Sequence, residues 1–139
     1  MSNGERPRRP RPMPSPTQTT KFFWDAAKQG KLALQYDPVA KVYQFWPRSI
    51  SVKTGKRNLE WRTVSGHGKV YSYTITYVPT AGFEDKVPYA IGLIELDEGV
   101  RIIGNMINVK PDEVKVGMPV KVAFERMSDD ISYFCFEPA

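Results

Sequence analysis

From Trp61 onward, the pattern of apolar, β-branched and aromatic positions is that of an all-β chain. The first strand-like stretch, 59–78, is long, and Gly66 and Gly68 permit a sharp bend within it. Near the C-terminus, Val120, Val122 and Phe124 share one face of a strand. Further strands are predicted at 88–96, 100–109, 118–127 and 131–139, with turns at 97–99 and 129–130.

These strands have the order of a five-stranded Greek-key barrel, the OB-fold. A long bent strand is followed by two strands, a short helical link and two further strands. Pro111 suits the first position of the link helix, and Gly117 suits its end. We therefore predict a mainly β fold in which residues 61–139 form a five-stranded OB-fold barrel.

A short aromatic helix is predicted over residues 19–31. A threonine can cap its N-terminus, and Gly30 is a natural stop. One small domain face cannot bury three adjacent aromatic residues that point in different directions, namely Phe22, Phe23 and Trp24. Either these side chains are offered to a partner protein as a docking element, or Phe23 packs with Ala27 on the domain and the others are half-covered.

Between the helix and the barrel, residues 32–60 have the spacing of two knuckles joined by a hairpin. Turn-like sites at 37–40 and 51–55 flank the strand-like segment 42–46. Gly55 stands where a zinc knuckle usually places its glycine. The spacing therefore predicts a ribbon-like hairpin in this segment.

The positive charge of the chain lies in its N-terminal part. The net charge is +5, yet residues 62–139 carry eight basic and eleven acidic side chains. Residues 1–18 are rich in Pro and Arg, which predicts a disordered tail, with a basic docking arm as the alternative. A polyanion would be attracted to the N-terminal part and not to the barrel.

Composition argues against several classes of protein. The single cysteine allows neither an intrachain disulfide nor a cysteine zinc site. No apolar run approaches the roughly 18 residues that a membrane-spanning helix needs. The Pro/Arg-rich N-terminus has no apolar core of a secretory signal. We therefore expect a cytoplasmic protein without a membrane partner.

Residues with the chemistry for independent catalysis are scarce. His67 lies between two glycines and is interpreted as a bend residue, and Cys135 is interpreted as a buried core thiol. No phosphate loop or catalytic triad stands out, so we expect no independent catalysis. A stand-alone OB-fold nucleic-acid-binding module is the alternative from another class. The second and third barrel strands offer only Arg101 and Tyr89 for that purpose, so nucleic acid is not an expected partner.

Motifs from about Phe22 to Ala139 resemble those of a known family. They are FFWDAAKQGKLALQ, the hairpin Gln44-Phe45-Trp46-Pro47-Arg48, Leu59-Glu60-Trp61, SGHGKVYSYT at 65–74, Val87-Pro88-Tyr89, ELDEG at 95–99 and GMPV at 117–120. The chain is similar to bacterial and archaeal acyl-CoA-associated OB-fold proteins, long catalogued as a domain of unknown function. These proteins carry an N-terminal rubredoxin-like zinc ribbon. Together the motifs are specific to that family.

The resemblance implies that residues 32–60 are such a ribbon, in which two Cys-x-x-Cys knuckles hold zinc. All four cysteine positions are replaced here, by Asp37, Ala40, Ser51 and Thr54. One carboxylate with two hydroxyls is a poor zinc site, so we predict a metal-free ribbon and no bound cofactor. Apolar contacts are then expected to hold the hairpin, through Val39, Val42, Phe45, Trp46, Ile50 and Val52.

The resemblance also implies a non-catalytic accessory subunit of an acyl-CoA-processing complex. Its partner in a hetero-oligomer would be a thiolase-fold enzyme (a thiolase, acyltransferase or aldolase), or alternatively a hot-dog-fold enoyl-CoA hydratase. The CoA thioester would be the substrate of the complex, and the chain would help to hold its CoA moiety. The candidate residues for contact with CoA or the partner are Tyr43, Phe45, Trp46, Arg48, Lys53, Lys56 and Arg57. A solvated basic turn is the alternative interpretation of the last three.

Overall fold

The computed structural model describes residues 13–79 and 86–139. The predicted N-terminal tail at 1–18 therefore lies largely outside the described residues, which begin at Met13. The described elements are helix α1 (Lys21–Lys28) and strands β1 (Ala33–Asp37), β2 (Val42–Gln44), β3 (Glu60–Thr63), β4 (His67–Thr76), β5 (Tyr89–Leu96), β6 (Arg101–Asn105), β7 (Pro119–Arg126) and β8 (Ser132–Pro138).

Strands β4 to β8 form the predicted five-stranded barrel. Their order is β6-β5-β4-β7-β8, and every neighbouring pair is antiparallel. A parallel bridge between Met106 and Phe136 draws the two ends of this sheet together, and the Ile107 N–H donates to the Phe136 carbonyl at 2.8 Å. The barrel interior is filled by side chains at most 1% exposed, among them Val70, Ile94, Ile102, Val120 and Phe136. The prediction of a mainly β, OB-fold chain is confirmed.

The stretch predicted as one long bent strand is two strands in different sheets. Strand β3 pairs with β1 in a three-stranded sheet of order β2-β1-β3, whereas β4 begins the barrel. The chain changes sheets at Gly66, which has a φ of 76°. A Cβ there would lie 2.2 Å from Cγ1 of Val122, so only glycine allows β4 and β7 to approach this closely. The predicted bend is real, but it separates the ribbon from the barrel.

Helix α1 attaches the ribbon to the barrel through aromatic side chains. The Phe23 ring is 1% exposed and lies 5.7 Å from the Phe134 ring of β8, 6.0 Å from Phe45 and 5.1 Å from Trp46. Phe45 also packs edge-on against Phe134 at 6.0 Å. Burying a phenylalanine side chain stabilises a fold by about 1.5–3 kcal/mol. This aromatic junction, Phe23, Phe45, Trp46 and Phe134, therefore fixes helix, ribbon and barrel to one another.

The ends of the helix follow the sequence signals in part. Gly30 has a φ of 74° and lies just beyond the last helical turn, as predicted. Thr20 is the N-cap residue, but its side chain makes no capping bond to the helix and instead bonds Thr17. The predicted link helix is a single 3-10 turn at Pro111–Glu113. Among the described residues, no helix has the length and apolar character to span a bilayer.

Candidate functional site

The Asp37 carboxylate is the centre of a hydrogen-bond network that joins the two knuckle turns. Asp37 is the last residue of β1, and its exposed fraction is 0%. Oδ1 accepts hydrogen bonds from the backbone N–H groups of Val39 and Ala40 and the side-chain amide of Asn58, at 2.9, 3.0 and 3.0 Å. Oδ2 accepts from the hydroxyls of Ser51 and Thr54. We call this set of donors and acceptor the Asp37 hub.

The second knuckle turn is ordered around the Ser51 hydroxyl. Its Oγ donates to Asp37 and accepts from the backbone N–H groups of Lys53 and Thr54, both at 3.2 Å. The Gly55 N–H then donates to the Ser51 carbonyl at 2.9 Å, with a φ of 70° at Gly55. Gly55 therefore allows the tight turn that the sequence pattern predicts at this position.

The donors and acceptors of the Asp37 hub do not fit a zinc ion. The structure brings together the four positions that the resemblance assigns to cysteines, but Ala40 contributes only a backbone N–H. Both carboxylate oxygens are already occupied by hydrogen-bond donors, and the hydroxyls point their protons at them. No group of three or more His, Cys, Asp or Glu side chains suited to a metal lies within 13–79 and 86–139. The hub is built to hold an anionic carboxylate and not a cation.

The donors of the hub keep Asp37 ionised. The Ser51 hydroxyl, followed by the Ala40 N–H, holds the pKa of the Asp37 carboxyl well below its usual range, with smaller contributions from Val39 and Thr54. Burial acts in the opposite direction and raises the pKa, but it does not prevail. The buried charge is therefore compensated by hydrogen bonds and not by a counter-ion.

Two buried glutamines hold the rest of the hairpin. The Gln35 amide donates to the Arg48 carbonyl at 2.7 Å, and its oxygen accepts the Arg48 N–H at 2.8 Å. Gln44 donates to Gln35 and to the Ile50 carbonyl, and it accepts the Val52 N–H at 3.0 Å. The irregular segment after β2 is thereby bound to the sheet by side chains in place of a strand ladder.

The expectation that apolar contacts hold the hairpin is wrong for half of the residues proposed. Val39, Ile50 and Val52 are 68%, 43% and 55% exposed, and so contribute little apolar burial. Phe45 does pack into the aromatic junction, whereas Trp46 remains 39% exposed at its edge. The reason is that each knuckle turn has no second layer to cover it, so polar groups satisfy the backbone instead.

The predicted CoA or partner residues differ in their surroundings. Tyr43 packs on Tyr36 at 4.7 Å, with Arg62 over the Tyr36 ring, while Phe45 and Trp46 belong to the aromatic junction. The cations of the set are exposed on the ribbon: Arg48, Lys53, Lys56 and Arg57. The aromatic residues of the set therefore have ring partners within the chain, whereas its cations are exposed.

Helix α1 follows the alternative prediction for Phe23, which packs on the domain, and it buries Trp24 as well. Phe23 and Trp24 are 1% and 5% exposed and pack within the chain itself, so they cannot contact a partner in this conformation. Phe22 is 51% exposed and stacks on Trp61 at 5.1 Å. Only Phe22 of the three remains available for docking, because the helix uses its other aromatic faces for the barrel.

The two candidate nucleophiles are placed as interpreted. His67 is exposed at the start of β4, next to the bend at Gly66. Cys135 is 3% exposed, and its thiol donates to the Ala123 carbonyl at 3.4 Å. Neither side chain belongs to a catalytic constellation within the described residues.

Sequence reasoning missed the residues that organise the ribbon. Gln35, Gln44 and Asn58 were not singled out, and Asp37, Ser51 and Thr54 were treated only as failed zinc ligands. A signal was present, since two glutamines in strand-like segments either have a polar partner or are exposed. Only the pairing of β1 with β2 reveals that Gln35 and Gln44 face each other.

The chain is similar to known proteins over most of its length. A family model described as the ChsH2 C-terminal OB-fold domain matches residues 61–125. A DUF35 domain-containing scaffold protein from Methanothermobacter thermautotrophicus is 34% identical over 102 residues, which cover 68% of this chain and 77% of that protein. A chain from a solved structure described as an Ltp2-ChsH2(DUF35) aldolase superimposes with a TM-score of 0.80 at 28% identity, covering 91% of this chain and 98% of that one.

A longer relative matches nearly the whole chain. A probable enoyl-CoA hydratase alpha subunit from Thermomonospora curvata is 32% identical over 138 residues. The match covers 97% of this chain but 42% of that protein. The chain therefore spans less than half the length of that relative, and most of the hydratase subunit lies outside the matched region.

The Asp37 hub predicts that Asp37→Asn destabilises the ribbon. An asparagine of the same shape has one oxygen and one NH₂ group, so the NH₂ group would face donors and leave them unsatisfied. We expect the melting temperature to fall by several degrees and the amides of 37–58 to exchange faster with deuterium. Asp25→Asn, at an exposed ion pair with Lys21, is the control and should change stability by at most about 0.5 kcal/mol.

Wild type and Asp37→Asn also give a pH test, in which the direction of the expected change is defined. The pKa of Asp37 is lower in the folded chain than the value of about 3.9 in an unfolded one. The contribution of the Asp37 carboxylate to folding stability is therefore complete above about pH 3.9 and is lost as the pH falls toward the folded pKa. The stability difference between wild type and Asp37→Asn should be constant from about pH 7 to 5 and shrink below about pH 4. A difference that instead grew on acidification would contradict the assignment.

Proposed function

The chain belongs to the family of DUF35 domain-containing scaffold proteins, and from this premise we propose that it is a non-catalytic accessory subunit of an acyl-CoA-processing complex. Its partner would be a thiolase-fold enzyme, such as a thiolase, an acyltransferase or an aldolase. The observation that carries the proposal is the superposition on 98% of a chain from the Ltp2-ChsH2(DUF35) aldolase structure. Nearly all of that chain is thus reproduced here, ribbon and barrel together.

The chemistry of the described side chains supports an accessory role. The histidine is exposed without a catalytic partner, and the one thiol is buried and donates to a carbonyl. The only strongly perturbed carboxylate, Asp37, has no exposed surface and serves the ribbon itself. A substrate could not reach it without dismantling the hub. We infer that reacting groups come from the partner subunit.

The exposed end of the ribbon supports contact with the CoA moiety. Five cations between residues 41 and 57 form no ion pair among the described residues: Lys41, Arg48, Lys53, Lys56 and Arg57. No acidic residue lies between residues 38 and 59, and Asp37, just before them, is buried within the hub. The surface is therefore strongly positive, which suits the phosphates of CoA.

A second candidate function is a partner subunit of a hot-dog-fold enoyl-CoA hydratase. It is favoured by the match of 97% of this chain to the Thermomonospora curvata protein named a probable enoyl-CoA hydratase alpha subunit. Because more than half of that protein lies outside the match, its activity cannot be assigned to the matched part. The two candidates share an accessory role and differ in the enzyme that is bound.

We further propose that the ribbon is metal-free in solution, since the hub replaces the ion by a carboxylate. Metal analysis of purified protein should find well below one zinc per chain. Replacing Asp37, Ala40, Ser51 and Thr54 together by cysteine should restore a tetrahedral thiolate site that takes up about one zinc per chain. One zinc per wild-type chain would overturn the proposal, and the cysteine variant controls for the ability of the assay to detect it.

Co-purification tests the proposed partner. A tagged chain expressed in its native host should bring down a thiolase-fold enzyme in a fixed ratio, identified by mass spectrometry. Deleting the chain should reduce the activity of that enzyme. Recovery of a hot-dog-fold hydratase would favour the second candidate. A chain that came out alone and bound single-stranded DNA tightly, in a salt-dependent way, would make it a stand-alone OB-fold module.

Contact with CoA is tested by removing three cations of the second turn. In the purified complex, Lys53→Gln, Lys56→Gln and Arg57→Gln together should raise the Kd for CoA by about ten-fold, because charge-assisted phosphate contacts are lost. For dephospho-CoA, which lacks the 3′-phosphate, the same three substitutions should raise the Kd by a smaller factor. Lys110→Gln with Lys115→Gln, exposed on the barrel, is the matched control. Equal Kd values for all three proteins would show that the turn is only a solvated basic surface.

A further inference from the structure

The barrel carries an apolar face on its outside as well as inside. On β5 the alternate residues Ala90, Ile94 and Leu96 are buried in the core, at most 2% exposed. Residues Ile91 and Leu93 point to the opposite side of the sheet and do not belong to the core or to the side chains packed against it. A barrel strand facing water on its outer side ordinarily carries polar residues there.

Strand register extends this face over three strands. Ser72 of β4 lies beside Leu93, which lies beside Ile103 of β6, and Ile103 is 58% exposed. The next row consists of Thr74, Ile91 and Asn105. We call these six residues the outer sheet face. None of them is charged, although a quarter of the residues in the whole chain are.

One end of the outer sheet face is closed by a row of charges. Lys69, Glu95 and Arg101 are neighbours across β4, β5 and β6. Arg101 bonds Glu95 at 3.4 Å, and its guanidinium lies 3.7 Å above the Tyr71 ring. An uncharged centre beside a charged row is the arrangement of an interface core and its rim.

Within the residues that the structure describes, the edge of β4 beside this face is unpaired beyond Val70. Strand β4 pairs with β7 only over His67, Gly68 and Lys69, and beyond Val70 its described pairing is with β5 alone. The stretch 71–76 contains no charge and no proline, two of the devices that keep a strand edge from pairing with other chains, although an irregularity in register lies between Val70 and Ser72. Its first four residues are all exposed, so both sides of the strand are accessible.

We propose that the outer sheet face is the surface on which the catalytic subunit docks, an inference that rests on the proposed function. The surface fits an uncharged, largely apolar patch of the enzyme, with the row of Lys69, Glu95 and Arg101 at the rim. Two of these faces packed on each other would engage six residues a side, far fewer than the roughly 20–30 of a stable interface, so the face by itself does not make a dimer. The occupant is therefore the catalytic subunit that the proposed function already requires.

The competing surface on helix α1 offers less. Phe22 is its only exposed aromatic residue and already stacks on Trp61. Lys21, Asp25 and Lys28 surround it with charge, two of them paired with each other. The outer sheet face combines apolar side chains, an absence of charge and an open strand edge, which the helix does not.

Two variants and one matched control test this surface in the co-expressed complex. Ile103→Glu and Thr74→Lys each place a charge in the outer sheet face and should reduce the co-purified thiolase-fold subunit at least ten-fold. Val116→Glu introduces the same charge as Ile103→Glu, at a residue that is 68% exposed and lies outside the face. This control should leave the yield of the enzyme unchanged. All three positions are exposed, so each free chain should keep its melting temperature within a few degrees.

The outcomes separate this inference from the proposed function. Normal recovery of the enzyme with Ile103→Glu and Thr74→Lys, but loss with Phe22→Glu, would overturn the docking surface and leave the accessory role intact. If the free wild-type chain is dimeric by light scattering and the Ile103→Glu variant is monomeric, the face is assigned to a second copy instead. Recovery of an enzyme without a thiolase fold, still lost with Ile103→Glu, would keep the surface and refute the proposed partner class.

Discussion

The N-terminal half of this protein depends on one buried carboxylate. Asp37 accepts hydrogen bonds from both knuckle turns and from Asn58, so a single charged group replaces the four-way cross-link that a metal would make. A buried charge without a counter-ion is costly unless donors surround it, and here five do. The two turns are therefore stable only in the arrangement that presents all of these donors to the carboxylate.

The two buried glutamines connect the Asp37 hub to the rest of the hairpin by hydrogen bonds. Gln35 and Gln44 bind the backbone on either side of Ser49, in the segment that runs from the hairpin to the second turn. The same hairpin carries Phe45 into the junction with Phe23 and Phe134. The position of the exposed ribbon cations relative to the barrel is thus set by polar bonds at one end and aromatic packing at the other.

The sequence predicted the barrel well because its signals are local. Strand periodicity, the turn at Gly99 and the bend at Gly66 each depend on a few neighbouring residues, and all are found. The ribbon was predicted only in outline, because its stability comes from contacts between residues such as Asp37 and Asn58 that are distant in sequence. Apolar residues in a short loop segment were assumed to be buried, yet Val39 and Val52 have no layer to pack against. Helix amphipathicity likewise could not show which of three adjacent aromatic rings the barrel would cover.

The same separation of local and distant contacts distinguishes the two candidate surfaces. The cationic turn exists only while Asp37 and Ser51 hold it, so its geometry is linked to the stability of the ribbon. The outer sheet face is formed by the pairing of β4, β5 and β6, and Ile103 of this face also lines a cleft beside Phe45 and Trp46 of the ribbon. Damage to the hub should therefore impair the proposed ligand contact more than the proposed docking, and reach the docking surface through Ile103.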